Sequence, residues 1–387
     1  FLDGAYELAL APDMGRMISY FNANPAQFEM QVEDKAIDEA LEAFEAEENV
    51  LAGYVMARQQ LRRLTLLGGV RYERTTVDYE SNDVVIDLNG DLQEIRPVRG
   101  GTDYDFVLPQ VHLKWAVDDF TNLRAAATYS YARPNFAEII PAQEANLQDN
   151  EATVGNAELN PVGAMNLDLL GERYFGNVGV VSGGVFYKRL TDFIYPRVLF
   201  NSQYPLMGTP VATNLRVTQA QNGEDADLLG FELAFQRNLD FLPGWASGFA
   251  LYANYTFTNS DARIQSRAAD EENPNATETI DLPGQAQHVG NVSLAYEWRK
   301  FYVRAALNFN GAYLSEVGGA PEEDVYVQDR AQLDVTGSYT ITPRFRVFAE
   351  FLNLTDQPFE VYQGSEDVVI QREFYSWWSR IGLKFDL

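Results

Sequence analysis

Between Phe301 and Phe309 the chain alternates without interruption. Phe301, Val303, Ala305, Leu307 and Phe309 form one apolar set, and Tyr302, Arg304, Ala306 and Asn308 form the other. A period of two marks a strand lying between two unlike environments. The same pattern recurs from about residue 49 onward. A strand at 49–60 meets a short turn at Leu61–Arg63 and returns at 64–79, with Leu66, Gly68, Val70 and Tyr72 on one face. After a long connection at 80–104, strand 105–117 sets Val111, Leu113, Trp115 and Val117 against Gln110, His112, Lys114 and Ala116. A short turn at Asp118–Thr121 leads to a strand with Leu123, Ala125, Ala127, Tyr129 and Tyr131 on one face.

The second half repeats this plan. A long connection at 132–163 precedes strand 164–175, the turn Gly176–Gly179 and a return strand carrying Val181, Gly183, Val185 and Tyr187. In the span 191–226, pieces at 193–198 and 211–219 are β-prone and extend that hairpin. Further strands fall at 227–237, 246–258, 286–298, 301–309, 328–340, 345–355 and 374–386. In the last, Tyr375, Trp377, Ile381, Leu383 and Phe385 share a face. The total is about thirteen strands. Residues 1–46 form an irregular acidic region, with Ile37, Leu41 and Phe44 spaced for one face of a short helix over 34–47.

Short connections lie at one end of these strands and long ones at the other, the rhythm of a transmembrane antiparallel β-barrel. A soluble β-sandwich also uses alternating strands. It would have to bury Phe249, Leu251, Phe257, Trp298, Phe301 and Leu307 under a second apolar layer. Bacterial single-chain barrels have an even strand count and leave no edge open in lipid. Thirteen is therefore one miscounted strand, or the C-terminal part of a larger barrel with strands upstream.

Composition narrows the field. No run reaches the roughly 18 apolar residues of a membrane helix. The 24 Phe and 21 Tyr suit interfacial girdles, and no linker-like stretch divides the 387 residues. The chain has no cysteine, which excludes disulfides and thiolate metal sites. A formal charge of -27 argues against nucleic acid as a partner.

Several segments resemble the barrel of TonB-dependent outer-membrane receptors, near the group common in Xanthomonas- and Caulobacter-like bacteria. Leu67–Glu73 (LGGVRYE) is similar to an early barrel strand, and Tyr129–Phe136 (YSYARPNF) to a strand-to-loop signature. Gly155–Pro161 (GNAELNP) resembles the following return, with Ala157 in place of a proline. Gly184–Ile194 resembles the next hairpin, and Phe351–Asp356 (FLNLTD) a late segment. Phe385 followed by Asp386 and Leu387 departs from the family's terminal aromatic residue. The resemblance implies a plugged barrel of about 22 strands. The plug and about nine strands would then lie outside this chain, whose residues 47–387 supply barrel strands and loops. It also implies outer-membrane lipid and a TonB–ExbB–ExbD complex as partners, with a surface lipoprotein as a further one. The implied activity is energy-coupled import in a Gram-negative bacterium. An oligosaccharide or related nutrient is the first expectation; ferric-siderophore import, or a binding or scaffold barrel without transport, is the alternative.

No catalytic constellation stands out, and no enzyme is expected. His112 and His288 are far apart, and no nucleophile elbow or phosphate loop is present. Pro134 ends a strand, so Arg133 and Asn135 at that turn are placed for structure as well as for a ligand. The main substrate candidates are mouth-loop aromatics and amides: Tyr195, Asn201, Tyr204, Tyr313, Tyr326 and Tyr362, with Phe200 and Trp377 beside them. Aromatic rings stack on sugar rings while neighbouring amides and carboxylates meet hydroxyls. The acidic clusters Asp270–Glu272 and Glu322–Asp324 offer oxygen ligands for calcium but lack EF-hand spacing, so solvated loops are expected and no metal or cofactor is assigned.

Overall fold

The computed structural model describes residues 13–28, 32–89, 91–176, 178–200, 215–267 and 275–385. Two helices come first, α1 (Met14–Ala23) and α2 (Val32–Glu42). Strands β1 (Glu45–Leu61), β2 (Leu64–Ile86), β3 (Leu92–Ala116) and β4 (Thr121–Ala132) follow. The next connection holds helix α3 (Phe136–Ile139), β5 (Gln143–Asn146) and β6 (Glu151–Val154). Then come β7 (Val162–Tyr174), β8 (Gly179–Thr191), β9 (Ile194–Phe200), β10 (Arg216–Asn222), β11 (Asp225–Asn238), β12 (Phe249–Gln265) and β13 (Thr277–Ile280). The chain continues through β14 (His288–Trp298), β15 (Phe301–Asn310), β16 (Tyr313–Glu316), β17 (Val325–Val327), β18 (Arg330–Thr342) and β19 (Phe345–Leu352). It closes with β20 (Phe359–Gln363), β21 (Val369–Glu373) and β22 (Trp378–Phe385).

Thirteen of these strands make one antiparallel wall in the order β1, β2, β3, β4, β7, β8, β11, β12, β14, β15, β18, β19, β22. Register explains why the pattern was legible. Leu251 faces Leu294, Val292 faces Leu307, Leu307 faces Leu333, and Val347 faces Leu383. Matching parity keeps these apolar residues on one face, and a one-residue slip would turn them over; Tyr131, expected on that face, instead turns its hydroxyl to Glu73 on the polar side. Large apolar side chains stay uncovered along this face, including Leu169, Val185, Leu233, Leu294, Leu307 and Ile381. The opposite face is polar, with Asn291 donating to Asn254 at 2.9 Å and Arg380 paired to Glu350. A sheet with this asymmetry separates lipid from water. No helix among the described residues is long and apolar enough to cross a membrane. Strands make the crossing.

Each end of the wall has its own architecture. At one end the connections are turns such as Arg62–Arg63 and Arg299–Lys300, where Arg62 and Arg299 take positive φ of 53° and 57°. At the other end the loops fold into a cap. β2 and β3 stay paired up to Ile86 and Leu92, so the long connection expected at 80–104 is a tall hairpin. Its alternation continues above the lipid with Thr75, Val77, Tyr79, Ser81 and Asp83 buried, and the polar members of that set hid the strand. The cap sheet then runs through β5, β6, β10 and β9, with parallel pairings of β2 to β5 and β6 to β10. The β9–β10 hairpin fits the β-prone pieces seen in the sequence.

The hydrophobic core sits in this cap. Leu215 and Val217 pack with Ala145 and Val154, while Phe193 and Tyr195 pack with Ile264 and Leu314. α2 is shorter than the expected 34–47 helix and buries Ile37 and Ala40 against Val84. Phe44 lies outside it and is exposed, because Glu45–Glu47 already belong to β1. α1 was not anticipated. The final strand starts at Trp378, after Ser376 at φ 55°, so Tyr375 and Trp377 precede it.

Two motifs from the sequence have clear local causes. A Cβ on Gly155 would lie 1.7 Å from the Ile140 carbonyl oxygen, so only glycine allows this close approach. We expect Gly155→Ala to destabilise the cap by about 1–3 kcal/mol, read as earlier proteolytic cutting of the loops with the wall intact. Asn353 sits at φ 55° and ties two loop segments to β18: its Nδ2 donates to the Gln357 and Ser376 carbonyls, and its own N–H to Asp334. Asparagine adopts this conformation more readily than most residues.

Candidate functional site

Two places on the polar side combine a recess or platform with converging groups. The first is a recess of 720 Å³ lined by Arg71, Glu73, Gln110, Thr128, Tyr131 and Arg133. Here β1, β2 and β4 are tied together by one guanidinium. Arg133 reaches Glu48 at 3.2 Å and Glu73 at 3.5 Å, and donates to the Tyr131 hydroxyl at 2.9 Å. Tyr131 in turn donates to Glu73 at 2.7 Å and stacks on Phe106 with centroids 4.2 Å apart. Arg71 also pairs with Glu73. Arg133 therefore bridges carboxylates at the upper wall, and its donors are largely committed.

The second place is a separate four-stranded sheet of β16, β17, β20 and β21 in the cap. Its register sets Tyr326 directly opposite Tyr362, and the two rings stack with centroids 5.2 Å apart and planes 9° from parallel. Tyr362 is nearly buried, while Tyr326 stays partly open. Burial pushes both phenols up; carboxylates reinforce this, Asp324 and Asp281 at Tyr326, Glu366 and Asp329 at Tyr362. The hydroxyls stay protonated donors at neutral pH. Tyr313 lies on the neighbouring strand, opposite Val327.

A buried ion cluster fastens this sheet to the wall. Arg267, just beyond β12, contacts Glu278 of β13 at 2.5 Å and Asp324 at 2.5 Å, and its side chain is only 9% exposed. Asp324 also accepts from the Gly318 N–H at 2.9 Å. Arg216 on β10 reaches Glu323 at 3.2 Å. Asp324 and Glu323, expected in a solvated or calcium-binding loop, are instead partners of arginines. No cluster with metal-ligand geometry occurs among the described residues.

The family model described as "TonB dependent receptor-like, beta-barrel" matches residues 15–354. The chain belongs to the TonB-dependent receptor β-barrel family. Members are Gram-negative outer-membrane barrels, so the apolar face of this receptor wall meets lipid and the polar face lines the lumen. Solved structures share the fold at low identity. The Serratia marcescens hemophore receptor HasR, in complex with hemophore and heme, is 13% identical with a TM-score of 0.61, covering 87% of this chain and 51% of its own. The ferric yersiniabactin uptake receptor FyuA from Yersinia pestis is 16% identical with a TM-score of 0.59, covering 89% and 46%. The copper transporter OprC is 14% identical with a TM-score of 0.62, covering 88% and 49%. The receptor chain thus spans about half the length of these structures. No curated protein matches it by sequence.

The structure brings together only some of the sequence candidates. Tyr326 and Tyr362 form the stack, with Tyr313 nearby. Arg133 serves the upper lumen wall. Asn135 caps α3, its N–H donating to Glu138 at 2.9 Å. Tyr195 departs from expectation: it is 2% exposed among Phe193, Ile264 and Leu314, because the β9–β10 hairpin turns that face into the cap core. It offers no surface to a solute. Asn201, Tyr204 and the cluster Asp270–Glu272 lie outside the described residues. Trp377 is exposed, and Asp281 and Arg267 around the stack were not foreseen. Arg267 and Asp324 are 57 positions apart, so no sequence window holds both.

Proposed function

We propose that this chain is the rear wall and outer mouth of an energy-coupled importer. The observation that carries this reading is the two-faced wall: apolar toward lipid, polar toward a lumen, and capped at one end by folded loops. Among the described residues β1 is paired only to β2, and β22 only to β19. Open edges are intolerable in lipid. Upstream strands of the same receptor, or of a tightly held second chain, would close the wall, and a plug would fill the lumen. A TonB–ExbB–ExbD complex would then supply work through that plug.

For the solute we propose an oligosaccharide or related nutrient. An aromatic pair in an acidic setting suits a neutral polyol: rings stack on its C–H face and carboxylates accept from its hydroxyls. The same carboxylates oppose an anionic chelate. Ferric-siderophore import is the second reading, favoured by what FyuA takes up. A scaffold barrel holding a surface lipoprotein is the third. Saturable sugar binding by the full receptor without iron supports the first reading, and iron-dependent binding of a ferric chelate overturns it. Tyr326→Ala and Tyr362→Ala together are expected to weaken uptake affinity about tenfold or more while barrel assembly persists. Unchanged affinity would remove this stack from the site.

A further inference from the structure

At the turn end of the wall, an arginine on the lipid face stands without a counter-charge. Arg237 ends the apolar set of β11 that begins with Leu229, Phe231, Leu233 and Phe235. Register sets it opposite Leu251 on β12 and Gly179 on β8, so no side chain covers its β8 flank. Its guanidinium carbon lies 4.6 Å from the ring centroid of Phe175 and 4.8 Å from that of Phe241, which belong to two separate turns. Such contacts hold the head of the side chain in place but do not neutralise it. The Nε–H is buried without an acceptor, and no carboxylate among the described residues pairs with the guanidinium. Arg173, two strands away on the same face, differs: it is paired with Asp118 at 3.5 Å.

The surroundings of Arg237 are aromatic and uncovered. In the β11–β12 connection Phe241 and Trp245 are 62% and 63% exposed. Trp245 meets Phe249 and Tyr296 edge-on, with centroids 6.1 and 6.4 Å apart, so its ring is held against the wall. Exposed aromatics at the end of a membrane strand mark the membrane–water interface. Short turns belong to the periplasmic side of such barrels, so this belt lies at the depth of the phosphates of the periplasmic leaflet. A guanidinium presents a planar fork that fits phosphate, and it is more weakly hydrated than an ammonium. Water or a free phosphate ion would satisfy the fork but leave Phe241 and Trp245 bare. A phospholipid covers both, with phosphate on the fork and the glycerol and first acyl carbons on the rings. A zwitterionic headgroup carries its own cation. A headgroup of net negative charge leaves its phosphate to Arg237.

We propose that Arg237, with Phe241 and Trp245, binds the phosphate of an anionic phospholipid of the periplasmic leaflet. This goes beyond the general contact of the apolar face with lipid, because it fixes one headgroup charge at one position. It is independent of which solute the receptor takes up. A lipid seated here also braces two turns at once, since Phe175 from the β7–β8 turn and Phe241 from the β11–β12 connection rest on the same guanidinium.

The test uses the full receptor in bilayer discs of phosphatidylcholine with added phosphatidylglycerol. Each lipid in turn carries a photoreactive group on its first acyl carbons, and the labelled peptides are mapped. Phosphatidylglycerol is expected to label the connection at 239–248 in preference to phosphatidylcholine. Arg237→Gln is expected to lower that labelling about fivefold and to erase the preference, with heat-modifiable barrel formation unchanged. Arg237→Lys, which keeps the charge but not the fork, should retain part of it. Soluble glycerol phosphate is expected not to compete. Three results would overturn the proposal: equal labelling by the two lipids, labelling by phosphatidylglycerol unaltered in Arg237→Gln, or competition by glycerol phosphate, which would make this a site for a phosphate ion and not for a lipid. Should Arg237→Gln fail to assemble, the comparison of the two lipids on the unaltered receptor still decides.

Discussion

Leu307→Arg is expected to impair heat-modifiable barrel formation. Leu307 lies on β15 between Val292 and Leu333, so its neighbours on both sides are apolar and face lipid. An arginine there has no carboxylate to meet and no water to reach without distorting the wall. Near the bilayer midplane that costs about 2–4 kcal/mol, a large share of a typical folding free energy of about 5–15 kcal/mol. Asn308→Arg, one residue along, points into the lumen and should assemble normally. Band shifts with and without heating, on membranes from both variants, separate the two faces. Normal assembly of the Leu307 variant would contradict the face assignment.

Asp324→Ala is expected to loosen the four-stranded cap sheet from the wall. Removing this carboxylate leaves Arg267, 9% exposed, with Glu278 alone, and also strips the Gly318 N–H of its acceptor. Breaking one side of a buried pair costs about 3–5 kcal/mol, because the remaining charge stays desolvated. The loss is local. Amide exchange should accelerate in β16, β17 and β20 while the ladders of β14, β15 and β18 stay protected. Uniform protection across the cap would show that apolar packing of Leu314 and Val317, not the ion cluster, holds the sheet.

The wall was readable because lipid imposes one rule on every strand that crosses it. Residues 301–309 show it with no exception, and the register confirms the parity they implied. Above the lipid that rule lapses. Strand β2 continues through Ser81 and Asp83, whose buried polar groups have partners such as the Ala43 carbonyl at Ser81 and Arg96 and the Gln143 N–H at Asp83, and a hydropathy pattern cannot anticipate those partners. Tyr195 was misjudged for the same reason: an aromatic residue in a loop signals either a ligand platform or a cap core, and only the fold of β9 on β12 and β16 decides. Tyr326 and Tyr362 were visible as aromatics but not as a pair, since β17 and β20 meet across the whole β18–β19 hairpin. The Gly155 and Asn353 motifs were recognisable as words before their causes were apparent. Those causes are a backbone approach and a left-handed turn.

The absence of cysteine allows a direct test of the central claim. Single cysteines placed at 303 through 308 of β15 in the full receptor can be probed, in membranes, with a lipid-dissolved thiol reagent and a water-soluble one. The account predicts strict alternation: positions 303, 305 and 307 react from the lipid, and 304, 306 and 308 react from the lumen or are shielded by what fills it. Labelling that ignores parity, or odd positions reacting only with the water-soluble reagent, would contradict a transmembrane wall.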